Sequence, residues 1–169
     1  MKNDALMPLG DATARDIRDI KQPGFVVPVR QRDETLLITK WGDEMCAIML
    51  TGEHSFIFFP ISLRSPHTGL FIPAPEILID LSSATDARNI DQERGLLILA
   101  QNSLSVVASK AGDQFGDPQP VPLWRVVDGG SEAASVAFAK WGIGIRQGDG
   151  FRTLWERGKP TRSFYENVE

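Results

Sequence analysis

Two histidines are the first residues in this chain to test for chemistry: His54, in Gly52-Glu53-His54, and His67, in Ser65-Pro66-His67-Thr68. An imidazole can move protons near neutral pH or ligate a metal, and both uses need partners at set spacings. Neither histidine stands at the spacing of a helical HExxH motif or of paired zinc-finger histidines. Cys46 is the single cysteine, so a closed Cys/His zinc set cannot be assembled and an internal disulfide is impossible. A site completed by carboxylate from His54, Glu53 and His67 stays geometrically possible. The plainer reading is two turn histidines in water, and neither metal nor cofactor is expected.

Other motifs divide the same way. Gly142-Ile143-Gly144-Ile145-Arg146-Gln147-Gly148-Asp149-Gly150 invites a phosphate-loop reading, but its spacing is neither a Walker loop nor the dinucleotide fingerprint, and no helical pattern follows it. Bulge and turn glycines account for it better. Serines are numerous, without a G-x-S-x-G elbow. The polar loop with most promise runs from Pro60 to Pro75, where Arg64, Ser65, His67 and Thr68 sit between proline-stiffened apolar flanks. Its structural reading is an ordered, mostly non-helical crossover between sheets. Three similar stretches, LITKWGD (37–43), VASKAGD (107–113) and AFAKWGI (137–143), put Trp41 and Trp141 beside a lysine and a glycine. Strand ends explain the pattern; a shared binding surface is the functional alternative. The candidate binding residues are therefore Trp41, Trp141, Arg64 and His67, and no catalytic residue is assigned.

Charge narrows the choice of partner. The net charge is −4, yet residues 140–169 hold six Lys/Arg against four Asp/Glu, interleaved with Trp141, Phe151, Trp155, Phe164 and Tyr165. That composition suits single-stranded nucleic acid, but an acidic whole lacks the electrostatic footprint, so no nucleic acid is expected. No apolar run approaches the ~18 residues that cross a bilayer, so no membrane is expected either. The opening MKNDALMPLGDATARD lacks the apolar segment of a secretory signal, which places the chain in the cytoplasm by expectation.

These residues need positioning, and the elements that do it read as strands. Thr35 to Ser62 holds three short apolar runs separated by Trp41-Gly42-Asp43 and Thr51-Gly52-Glu53, a β-meander. Further strands are expected at 25–30 (an edge, because of Pro28), 76–81, 95–100 paired with 103–109, 123–127, and 135–146 paired with 151–156, with a loop at 115–122. A helix is expected over 12–21, opened by Thr13-Ala14-Arg15-Asp16, and a short one over 82–90. The 169 residues should form one β-rich domain, mainly β or β-rich α+β: antiparallel meanders in a sandwich or half-open barrel with one or two short helices. An N-terminal helical segment, 1–24, would pack on it, and 158–169 would form a C-terminal tail.

The meander strands are apolar on both faces, which requires cover from within the chain or from another protein. The leading functional expectation is thus a non-enzymatic protein-interaction module, or a homo-oligomer formed by self-association. The alternatives are a small-molecule-binding β barrel, whose cavity would be lined by Met45, Met49, Phe56 and Phe58, and a hydrolase or transferase with its site around Arg64 and His67.

Overall fold

The computed structural model describes residues 10–29, 34–64, 68–87, 93–100, 103–112, 116–124 and 135–159. In chain order the described strands are β1 (Thr13–Asp16), β2 (Gly24–Pro28), β3 (Leu36–Trp41), β4 (Glu44–Met49), β5 (Ile57–Pro60), β6 (Thr68–Pro73), β7 (Glu76–Ile79), β8 (Ala84–Asp86), β9 (Leu97–Ala100), β10 (Ser103–Lys110), β11 (Gln119–Pro122), β12 (Ser135–Phe138), β13 (Trp141–Gln147) and β14 (Gly150–Glu156). The complete helical elements among the described residues are 3-10 turns at Ile17–Asp19, Ile61–Leu63 and Leu81–Ser83. The expected mainly β, antiparallel class is the one the chain adopts. No helix among the described residues is long and apolar enough to cross a membrane.

One large sheet runs β1-β6-β2-β3-β4-β5-β10-β9-β12-β8, with β11 attached to β10; a second, small sheet is β14-β13-β7. The meander forms as expected, with Gly42 (φ 62°) turning β3 into β4 and Gly52 (φ 88°) following β4, where a left-handed backbone favours glycine. β10 is the element that folds the large sheet over. On one edge Val107 exchanges hydrogen bonds with Gly95 and Leu96, and farther along that edge Ser109 and Ala111 donate to Phe56 and Phe58 carbonyls. The opposite edge takes β11, where Leu123 N–H donates to Leu104 O at 2.8 Å. β11 in turn reaches β3, because Thr39 Oγ1 donates to the Pro122 carbonyl.

The meander is covered on both faces from within this chain. Leu37, Cys46, Ile48 and Phe58 point into a core shared with Leu104, Val106, Val121, Trp141 and Trp155. Leu36, Ile38, Ala47 and Met49 point the other way, into a core closed by Ile17, Ile20 and Ile61 from two of the 3-10 turns. Each of the Val, Leu, Ile, Phe and Met side chains among these contributes about 1.5–3 kcal/mol when fully buried.

Several expectations are corrected. The helix over 12–21 is a strand followed by one 3-10 turn: Thr13–Asp16 pairs with β6 from Thr13↔Phe71 to Asp16↔Thr68, and the Asp16 carboxylate accepts from Arg18 N–H. A ladder already in place outweighs the costly nucleus of a ten-residue helix. Of the helix expected over 82–90, the described residues form the end of the turn Leu81–Ser83 and then β8, which pairs with β12, and 88–90 fall outside the described residues. β2 is interior, between β3 and β6; its pairing with β3 ends at Val26, so Pro28 lies where β2 has one partner. The crossover 60–75 contains β6, an interior strand. The loop 115–122 contains β11, because Pro118, Pro120 and Pro122 share one parity. Their missing donors all fall on the outer edge, and Gln119 and Val121 face β10. The strand expected over 135–146 breaks at Ala139-Lys140 into β12 and β13, which belong to different sheets. Of the strand expected over 123–127, Leu123 and Trp124 lie outside β11, and 125–127 fall outside the described residues, as do 1–9, the turns at 101–102 and 128–130, and residues 160–169 of the tail.

Candidate functional site

Arg64 is positioned by the 3-10 turn Ile61–Leu63, which closes the outer core around Leu36, Ile38, Ala47 and Met49, as distinct from the inner core around Leu37, Ile48 and Trp141. Its Nη2 lies 2.8 Å from Glu34 Oε2 and 3.7 Å from Met49 Sδ, and its guanidinium sits 4.6 Å over the Phe59 ring. The side chain thus straps residue 34 to the turn, on a face about one-third exposed, where such a pair stabilises by about 0–1 kcal/mol. The buried Arg64 Nε has no hydrogen-bond partner among the described residues. His67 lies outside the described residues.

The two tryptophans are placed unequally. Trp41 ends β3, half-buried, with its ring 5.2 Å from Phe58. Trp141 is 2% exposed and presents no surface. Its Nε1–H donates to Gly95 O at 2.8 Å, and its ring meets Trp155 at 4.9 Å and Phe56 at 6.5 Å. Around this ring the small sheet is fastened to the large one. Arg157, just past β14, donates to Ala139 O at 2.9 Å and Arg94 O at 3.3 Å and lies 5.9 Å over Phe56. Gly95 has φ 95°, and a Cβ there would lie 2.6 Å from the Phe56 ring. Phe56 itself holds φ 60°, a left-handed conformation that a bulky residue keeps only when its surroundings enforce it.

The side chains proposed to line a small-molecule cavity do not share one. Alternation along β4 sends Met45 and Met49 to the outer core, whereas Phe56 and Phe58 lie in the inner one. Cys46 also faces the inner core; burial pushes its thiol pKa up, Glu44 adds to this, and Lys110 opposes it. Gly142 and Gly144 do allow close approach and a bulge: a Cβ on Gly142 would lie 2.5 Å from Trp155 O, and the β13–β14 register shifts between Ile143 and Gly144. Among the described residues no three His, Cys, Asp or Glu side chains gather as a metal set.

What the sequence reading missed is the strand edge at β7. Among the described residues the strands with a single partner are β1, β7, β8, β11 and β14. Four of these are blunted in ways that discourage further pairing. β1 carries the adjacent charges Arg15 and Asp16; β8 is three residues long and ends in Asp86; β11 is blunted by its prolines; and β14 carries Arg152 and a bulge at Leu154. β7, Glu-Ile-Leu-Ile, has no bulge, no proline and no charge after Glu76. Asp80 N–H donates to Lys140 O at 3.0 Å, and alternation along an antiparallel pair then turns the peptide groups of Leu78 and Glu76 toward β13 and those of Ile77 and Ile79 outward. Beside this edge Ile79 is 44% and Leu81 75% exposed. Asp80 is held below the usual carboxylate range by hydrogen bonds from the Ser82 hydroxyl and the Ser82 N–H, at 2.6 and 2.9 Å.

A family model described as "Y4lG: Uncharacterised protein y4lG" matches residues 14–162. The chain is also similar to the uncharacterized protein y4lG of Sinorhizobium fredii (strain NBRC 101917 / NGR234), at 25% identity over 133 residues that cover 79% of this chain and 81% of that relative. No solved structure matches the chain.

Proposed function

We propose that this chain, which belongs to the y4lG family, is a non-enzymatic protein-interaction module whose contact site is the β7 edge and the turn that follows it. The observation that carries this reading is the exposure of Ile79 and Leu81 beside the edge strand that, among the described residues, has no proline, no bulge and no charge past its first residue. Apolar side chains left beside unpaired backbone groups invite association, and natural proteins suppress such edges unless they use them. The meander faces no longer argue for a partner, because this chain covers both. Trp41, at the rim of the inner core, is a secondary contact within this proposal, and Trp141 serves it as scaffold.

The reading is tested with purified pairs. Proteins captured by the chain are produced separately and titrated against wild type and against an Ile79→Lys/Leu81→Lys double variant. Expected are an unchanged melting temperature for the variant and at least about tenfold weaker binding, the scale of an interface residue worth about 1.4 kcal/mol. A partner that binds both forms equally overturns it.

A further inference from the structure

Resting on that reading, we infer that β7 takes up an extended peptide with basic residues bracketing an apolar centre, added as a fourth strand to the β14-β13-β7 sheet. Outward N–H and C=O groups on Ile77 and Ile79 supply two donors and two acceptors for such a strand. Side chains set which strand fits. Glu76, Leu78 and Asp80 share one face of the extended segment, since Asp80 continues the strand with φ −96° and ψ 109°. This face reads acid, apolar, acid, with the Cα atoms of the two acidic residues about 13 Å apart at the strand rise of ~3.3 Å per residue. Ser82 holds the Asp80 carboxylate by two hydrogen bonds, which keep it ionised. Opposite charges directly across a strand pair stabilise and like charges destabilise, so the matching strand reads base, apolar, base at the same spacing.

The same arithmetic disfavours a second copy of this chain. Antiparallel self-pairing with full overlap sets Glu76 against Asp80 of the other molecule at both ends, and parallel pairing stacks like on like.

The probe is a fluorescently labelled peptide, Ser-Lys-Ile-Val-Ile-Lys-Ser, compared by anisotropy with its Glu-for-Lys counterpart and with a form N-methylated at alternate residues. Expected is tighter binding of the basic peptide by about tenfold, weakening as salt rises, with the methylated form silent. The double variant Glu76→Lys/Asp80→Asn, which retains a side-chain acceptor at position 80, should reverse the preference. Equal binding of both charge forms, or no effect of methylation, overturns the inference while leaving the interaction reading standing. So does a concentration-dependent dimer, seen by light scattering and abolished by Ile79→Lys, with no peptide bound. If no peptide binds, the chain stays monomeric at all concentrations and the purified-pair titration finds no dependence on Ile79 or Leu81, both readings fall.

Discussion

The meander β3–β5 and the small sheet β14-β13-β7 are both apolar, yet they spend that apolarity differently. The meander is interior in every direction: strand neighbours on both edges, one core on each face, and Leu36, Leu37, Ile38, Ala47 and Ile48 without exposure. The small sheet buries one face around Trp141, Ile143 and Trp155 and, among the described residues, leaves β7 half-buried with a partner strand on one edge. Sequence hydrophobicity alone does not separate the two. What separates them, among the described residues, is how many sides of a strand the chain itself reaches: both edges in the meander and one at β7.

Breaking the link between the two regions should have the largest effect. Trp141→Ala removes a fully enclosed indole and its bond to Gly95 O, and is expected to cost about 3–5 kcal/mol in urea unfolding. Trp41→Ala, at the rim, should cost clearly less. If the two costs were equal, the contrast in burial would carry no energetic meaning. Next, Gly95→Ala forces a side chain into φ 95° against the Phe56 ring and Arg157 Nε, with an expected loss of about 2–3 kcal/mol. A neutral outcome would mean that the turn at Gly95 relaxes freely and does not clamp the sheets together.

Arg157→Met keeps an unbranched apolar stem but deletes the guanidinium over Phe56, its bonds to Ala139 O and Arg94 O and its ion pair with Glu93. Urea titration should show a loss of about 1–2 kcal/mol, and hydrogen exchange should quicken in β13 and β14 while β3 and β4 stay protected. Uniform acceleration would instead mean one indivisible unit. The smallest effect concerns pH. Asp80 ionises more readily in the folded chain than in the unfolded one, so its contribution is fully present above the ordinary carboxylate pKa of about 4 and fades as the pH falls through that value and lower. Asp80→Asn should flatten the acid limb of the stability profile slightly, and an unchanged limb would place the proton uptake elsewhere.

The meander was legible because its three runs carry their own punctuation, and Gly42 does the turning that the pattern implied. β6 and β11 were hidden by proline, whose usual meaning reverses when the missing donors face outward together, as at Pro118, Pro120 and Pro122. The segment 12–21 has a helical cap and spacing, but only a partner strand more than fifty residues on reveals that Thr13–Asp16 pairs with Thr68–Phe71; that partner is supplied by tertiary structure. The β7 edge was invisible for a related reason. Glu76–Ile79 read correctly as a strand, but whether a strand is interior or terminal in its sheet is not written in its own residues. Trp141 reads as a binding residue by its type alone, and a tryptophan beside a glycine reads the same whether it closes a core or opens a surface.

The parallel contact of Ile57 and Phe58 with Ser109 and Lys110 sets an order on how this chain is made. β3, β4 and β5 are joined by short turns and can zip together as soon as they leave the ribosome. The outer edge of β5 must then wait for residues about fifty positions further along, a few seconds at typical translation speeds, and Thr39 waits longer still for Pro122, 83 residues away. During that interval the nascent meander carries Phe56, Ile57 and Phe58 beside an unclaimed strand edge. Synthesis slowed between codons 60 and 109 should therefore raise the yield of aggregated chains, and synthesis accelerated there should lower it.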